Sequence, residues 1–455
     1  MSEQVKNKGW QVALAGTGIN LALGVLYAWS IFKGAIKTSI EKGGPGAFDW
    51  NLASINDPYA VCCLTFAFAM ILAGKCQDKI GPARTALIGG LLVGIGFTLL
   101  SQSNAYMAWV MGFGILAGAG FGFGYSAATP PALKWFPSSK TGLIAGIVVA
   151  GFGLAPVYIA PVSSYLLGTV GIQQAMLIYA AAFAVIVCGL SFFLVNPPAG
   201  YVPADVPKAE GAAKAAPAKP AVNATASEML RSGKFYILWI TYFIGAGAGL
   251  MVIGSVAGIA KKSMGSMAFL AVAIMALGNA GGRVVAGVLS DRIGRMATLL
   301  IMFVFQAVLM FAAIPVVSAG HPNAVLVVLL ATFMGFNYGA NLALFPSFSK
   351  DYWGLKNYGL NYGILFTAWG VGGFVMGRAS EMLNTQTGSF NASFILAGAL
   401  LTVGALVSLA LKPAKAATPA TAAAQPVPRS DFMESFMRGW ADFLGFTPST
   451  PRGMR

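Results

Sequence analysis

The chain has 455 residues, of which 57% are hydrophobic and only 9% charged, with a mean hydropathy of +0.73 and a net charge of +15. A water-soluble fold of this length carries roughly 25% charged residues, so much of this surface must face lipid. Soluble enzymes, nucleic-acid binders and disordered chains are thereby excluded.

From the N-terminus, apolar stretches of bilayer-crossing length, about 20 residues each, are expected near 11–32, 59–76, 85–101, 106–130, 141–166 and 173–195. The first is too long for a cleavable signal peptide and lacks a cleavage pattern, so it is expected to be a retained span. Residues 197–232 follow, rich in Pro, Ala and Lys, a composition that predicts a flexible cytoplasmic linker. Six further stretches lie near 235–259, 267–289, 297–317, 323–346, 359–379 and 390–411. The expected organisation is a six-helix half over 1–196, the linker 197–232, a second half over 233–411 and a cytoplasmic tail over 412–455. In the tail, 431–446 sets Phe432, Phe436, Met437, Trp440, Phe443 and Leu444 roughly on one face. That pattern predicts an amphipathic helix lying on membrane lipid.

Topology follows from Lys and Arg, which concentrate in cytoplasmic loops. With the N-terminus inside, Lys33, Lys37, Lys42, Lys261 and Lys262 fall outside, and Arg283 and Arg378 fall within spans; the other 22 of 29 basic residues are inside. Both termini are therefore expected in the cytoplasm, in a bacterial-type inner membrane. The positive charge reflects membrane orientation rather than a nucleic-acid partner. Cys62, Cys63, Cys76 and Cys188 lack metal-ligand spacing, and His321 is the lone histidine. Neither a metal site, a cofactor nor an enzymatic nucleophile–base pair is expected.

The halves repeat one another. "GKCQDKIGPAR" (74–84) follows the second span and "GVLSDRIGR" (287–295) the eighth, both reading G-x-x-x-D-[KR]-x-G. Gly142, Gly146 and Gly153 match Gly359, Gly363 and Gly370 in spacing. This pattern resembles the major facilitator superfamily over the whole chain. The resemblance implies an all-α membrane protein, with twelve transmembrane helices in two six-helix halves, working by alternating access. It also implies a cytoplasmic latch at Asp78 and Lys79 and at Asp291, Arg292 and Arg295, where carboxylates meet cations and helix N-termini.

A narrower resemblance, to the oxalate/formate antiporter family related to monocarboxylate transporters, rests on "NLALGVLYAWSIF" (20–32), "GFGFGYSAATPPALKWFP" (120–137), "NPPAGY" (196–201), "FYILWITYFIGAGAGLMVIG" (235–254), "GNAGGRVVAGVLSDRIGR" (278–295) and "FNYGANLALFP" (336–346). Arg283 stands in span eight with no acidic residue in any span core. A guanidinium there fits a substrate carboxylate with two parallel hydrogen bonds. Asn279, one turn earlier on the same face, can orient it or bind the carboxylate. Tyr27, Tyr125 and Tyr338 are polar-tipped aromatics in the same motifs, and Asn20 and Asn341 are amides there. Where the oxalate-specific carrier of this family has a lysine in span eleven, this chain has Trp369, so one cation faces one carboxylate. Arg378, near Glu381, reads as a vestibule or structural charge. The sequence therefore points to a monomeric secondary transporter of a small carboxylate, of the lactate, pyruvate or formate class. An oxalate/formate exchanger and a transporter-like carboxylate sensor are the competing readings.

Overall fold

The computed structural model describes residues 7–203 and 223–411. Most of the expected linker and the whole expected tail, with its amphipathic segment 431–446, lie outside the described residues. All regular structure among the described residues is helical. In lipid, every backbone N–H and C=O must find its partner internally, and the helix achieves this within one segment.

The first half comprises α1 (Gly9–Lys42), α2 (Asp57–Ile80), α3 (Pro82–Gln102), α4 (Tyr106–Trp135), α5 (Thr141–Thr169) and α6 (Gly171–Ser191). After a five-residue helix, Ala226–Leu230, capped reciprocally by Thr225 and Glu228, the second half begins. It comprises α7 (Gly233–Met264), α8 (Ala268–Ile293), α9 (Arg295–Ser318), α10 (Ala324–Trp353), α11 (Tyr358–Thr387) and α12 (Asn391–Ser408). Among the described residues, eleven segments are long and apolar enough to cross a membrane. The helix at the expected eleventh position, α11, is 30 residues long but is not one of them. Its glycines, Asn361 and Arg378 hold its mean hydropathy down.

Two local irregularities shape the interior. Helix α1 tightens into a 3-10 turn over Gly24–Ala28, which carries Tyr27, and α4 widens into a π segment over Val110–Ala117. Such departures from α geometry often accompany functional positions.

The halves meet along two helix pairs, α2 with α11 and α5 with α8. The pairs correspond under the sequence repeat. Gly74 lies against Gly359, and Gly287 against Gly142, so closely that a Cβ on any of the four would strike the opposite carbonyl oxygen. One turn deeper, the Met70 backbone meets Gly363 and the Arg283 backbone meets Gly146. The shared loop motif has its own geometric reason: Gly81 and Gly294, at its second glycine, hold φ of 90° and 92°, which side-chain-bearing residues rarely adopt.

Candidate functional site

One end of the bundle is marked by the linker: Tyr201 packs on Trp135, and the Ala224 N–H bonds the Trp353 carbonyl. At this linker end two carboxylates clamp the halves together. Asp78 accepts from the Gly359 and Leu360 N–H groups, 3.1 and 3.0 Å away, at the start of α11. Asp291 accepts from Gly142 and Leu143, both at 2.9 Å, at the start of α5. Each carboxylate thus satisfies two amides that helix geometry leaves without intrahelical partners, at the positive end of the macrodipole.

The cations of the expected latch are placed differently. Arg295 bonds Asp291 at 2.5 Å and Asp351 at 2.9 Å. Lys79 and Arg292 are exposed and make no ion pair among the described residues, because their helix positions point away from the interface. The N-termini of α11 and α5, rather than these two cations, receive the carboxylates. Lys350 lies beyond the expected end of the tenth span at 346, yet the helix runs on to Trp353. This lysine is 9% exposed and bonds the Thr141 hydroxyl of the opposite half.

The second arrangement lies deeper between the halves. Arg283 is fully buried on α8. Its Nε donates to Asn279 Oδ1 at 2.9 Å, as i,i+4 spacing allows, and its Nη1 donates to the Val149 carbonyl of α5. Gly153 makes room for this crossing: a Cβ there would come within 3.1 Å of Arg283 Nε and 3.0 Å of Asn279 Oδ1. Arg283 Nη2 is buried and has no hydrogen-bond partner, and no acidic residue pairs with the guanidinium among the described residues. A charge in the bilayer interior costs on the order of 3 kcal/mol when left so.

Tyrosines gather around this charge, which acts on Tyr27, Tyr125 and Tyr338. The hydroxyls of Tyr27 and Tyr338, from opposite halves, are 2.6 Å apart, and Trp369 Nε1 donates to Tyr338 at 2.8 Å. Two phenols supply two O–H donors and their mutual bond uses one. One donor therefore remains to be met. The Tyr125 hydroxyl is buried without a partner. Apolar walls complete the arrangement: Phe152 meets Tyr27 edge-on at 5.1 Å, Phe66 lies 5.6 Å from Tyr125, and Phe366 stacks on Trp369 at 5.0 Å.

Of the expected site residues, Arg283 and Asn279 form one bonded pair and Tyr27, Tyr338 and Trp369 a second bonded group, while the Tyr125 hydroxyl bonds neither. Asn341 is placed elsewhere, against Gly245 of α7, donating to the Asn337 carbonyl at 3.2 Å. Asn20 ties α1 to α5 through the Val148 carbonyl at 2.8 Å. At the far end, Arg378 lies 3.8 Å from Asp57 of the opposite half, and Tyr106 bonds the same carboxylate at 2.9 Å. Tyr242, Tyr358 and Tyr362, buried between Tyr125 and the linker end, escaped sequence reasoning; the i,i+4 spacing of Tyr358 and Tyr362 is the signal that could have found them.

A family profile of the Major Facilitator Superfamily matches residues 12–377 and 248–447. The chain is 30% identical over 374 residues to the uncharacterized MFS-type transporter YhjX of Escherichia coli K12, covering 79% of this chain and 85% of that protein. It is 27% identical over 394 residues to the oxalate:formate antiporter of Oxalobacter formigenes (86% and 88% covered). With monocarboxylate transporter 13 of Bos taurus it shares 25% over 410 residues, 89% of each. In fold it is similar to the Escherichia coli fucose:proton symporter FucP, with a TM-score of 0.59 at 15% identity over 89% of this chain and 98% of that one.

Proposed function

The chain belongs to the Major Facilitator Superfamily, and is thus a multi-pass membrane transporter; from that premise we propose that it carries small monocarboxylate anions, of the lactate, pyruvate or formate class, by alternating access across a bacterial-type inner membrane. The observation that carries this reading is the excess of buried hydrogen-bond donors at the centre. Arg283 Nη2, the Tyr125 hydroxyl and one O–H of the Tyr27–Tyr338 pair are all left, among the described residues, without a carboxylate of the protein to receive them. An acceptor-only, negatively charged ligand suits such a set, and a carboxylate has the planar geometry for a guanidinium. Asn279 holds Nε and so fixes the plane in which the other nitrogens point.

The linker end is assigned to the cytoplasm by the distribution of Lys and Arg, with both termini inside. The clamps at Asp78 and Asp291 then hold the cytoplasmic side shut while the outer side admits substrate. The chain works as a monomer, since each half supplies part of the central arrangement.

The similarity to an oxalate:formate antiporter favours a second reading, an oxalate/formate exchanger. Trp369 speaks against it. Its indole N–H is used by Tyr338 and brings no charge for a second carboxylate. The deciding experiment is uptake of labelled lactate into proteoliposomes, with formate, pyruvate and oxalate as competitors. Monocarboxylates are expected to compete about 100-fold better than oxalate, since an unpaired second charge costs about 3 kcal/mol and 1.4 kcal/mol is tenfold. Oxalate competing equally would give the exchanger reading the lead.

A further inference from the structure

The half interface holds a second buried cation that the central arrangement does not use. Lys350 lies on α10 about 18 Å along the helix from Tyr338, at 1.5 Å per residue. Its ammonium has three N–H donors, and among the described residues only the Thr141 hydroxyl receives one. Among the described residues no carboxylate stands within ion-pair distance of it: Asp291 and Asp351 pair with Arg295 instead. A buried ammonium bonded to one neutral group is costly unless an anion joins it.

A column of phenols runs from the centre toward this cation and ends at the Pro346 carbonyl, one turn before Lys350 on α10. Below Tyr125 come Tyr362 and Tyr242, whose hydroxyls are 3.4 Å apart, then Tyr358, stacked on Tyr362 at 5.7 Å and bonded to the Pro346 carbonyl at 3.3 Å. Among the described residues, second-half cations meet first-half groups across the interface: Arg378 meets Asp57, Arg283 the Val149 carbonyl and Lys350 the Thr141 hydroxyl, while Arg295 is held by Asp291 and Asp351 of its own half. When the halves part at the linker end, Thr141 leaves with the first half and the Lys350 ammonium is uncovered at the mouth of the opened path.

We propose that Lys350 is a second carboxylate-binding site, which receives the anion between Arg283 and the cytoplasm. This rests on the reading of Arg283 as the central anion site and adds a direction to it. A site at the inner mouth acts on substrate arriving from or leaving to the cytoplasm, and leaves the outer face untouched. The competing role is structural. Asp291, Asp351 and Arg295 together carry one negative charge, which Lys350 balances; that role would alter clamp strength and turnover from either side.

The test measures transport of labelled lactate in inside-out and right-side-out vesicles from cells expressing the full chain. Lys350→Gln is expected to raise the KM at the cytoplasmic face about tenfold and leave the outer-face KM unchanged, while Lys350→Arg keeps both near the parent. Thr141→Val, which removes the hydroxyl that receives Lys350 together with its own bond to the Ser138 carbonyl but leaves the ammonium in place, is expected to leave both KM values unchanged. Lys350→Met replaces the Gln variant if the latter does not insert. Equal effects on the two faces, no effect on KM, or a Thr141→Val variant that reproduces Lys350→Gln would overturn the proposal. Arg283→Gln is run alongside. If it transports normally, the central-site reading fails; if it is inactive on both faces while Lys350→Gln shows no asymmetry, only the inner site fails.

Discussion

Replacing Asp291 by Asn separates the clamp from the binding site. The carboxylate takes the N–H groups of Gly142 and Leu143 at 2.9 Å and Arg295 Nη1 at 2.5 Å. An amide of the same shape keeps one oxygen, sets an N–H against an N–H at the other position, and carries no charge. Hydrogen bonds to charged groups contribute about 1.5–3 kcal/mol each, and a carboxylate at a helix N-terminus about 0.3–1 kcal/mol. Losing one bond and the charge behind the others weakens linker-end closure by about 3 kcal/mol. At 1.4 kcal/mol per tenfold, the closed-to-open equilibrium shifts about 100-fold. Asp78→Asn disturbs two amide bonds across the interface in the same way, at 3.1 and 3.0 Å rather than 2.9 Å, so a shift of about tenfold to 100-fold is expected there. The assay is maleimide labelling of a cysteine placed at Ser349, which is fully buried, in a background with Cys76 and Cys188 replaced by Ala. Labelling should accelerate by those factors and turnover should slow, while equilibrium binding of substrate changes less than about threefold. Unchanged labelling together with lost affinity would refute the clamp argument.

Three further outcomes follow from the same geometry. Gly359→Ala puts a Cβ 2.6 Å from the Gly74 carbonyl oxygen, so it should wedge the linker end open and raise Ser349-site labelling much as Asp78→Asn does. Trp369→Lys supplies a second cation near Arg283 and should narrow the lactate-over-oxalate preference in competition assays by tenfold or more; an unchanged ratio would show that Trp369 does not face the second carboxylate. Tyr338→Phe strands the Trp369 N–H in the interior at about 1–3 kcal/mol, whereas Tyr27→Phe leaves that bond intact. Thermal unfolding in detergent should therefore show the larger loss for Tyr338→Phe.

Much of this arrangement was legible from residues alone, for identifiable reasons. Apolar length picked out eleven of the twelve expected spans, α11 falling short in hydropathy, and the doubled D-[KR]-x-G motif marked the repeat of the halves and the two carboxylates at the linker end. Arg283 stood out because an ionisable residue in an apolar helix is costly enough to require a purpose. Lys79 and Arg292 misled because motif membership does not say which way a side chain turns at a helix end. Lys350 was hidden because α10 runs past its last apolar residue, so its lysine looked like loop charge. The Val149 carbonyl, which holds Arg283 across the interface, is a backbone group and leaves no trace in residue identity. Asn341 carries the right chemistry, but its helix face turns it toward Gly245. Tyr242, Tyr358 and Tyr362 become a column only once α7, α10 and α11 are packed against α4.

The central claim is that Arg283 is the group that holds the anion. Equilibrium binding of labelled lactate to purified parent and Arg283→Gln protein tests it most directly, with thermal unfolding as the check on folding. Gln keeps an oxygen and an N–H near Asn279 but removes the charge and the two-nitrogen edge that a carboxylate needs. A loss of affinity of at least 100-fold in a protein that unfolds at the parent temperature is the predicted result. Near-parent affinity in the Gln variant would contradict the account.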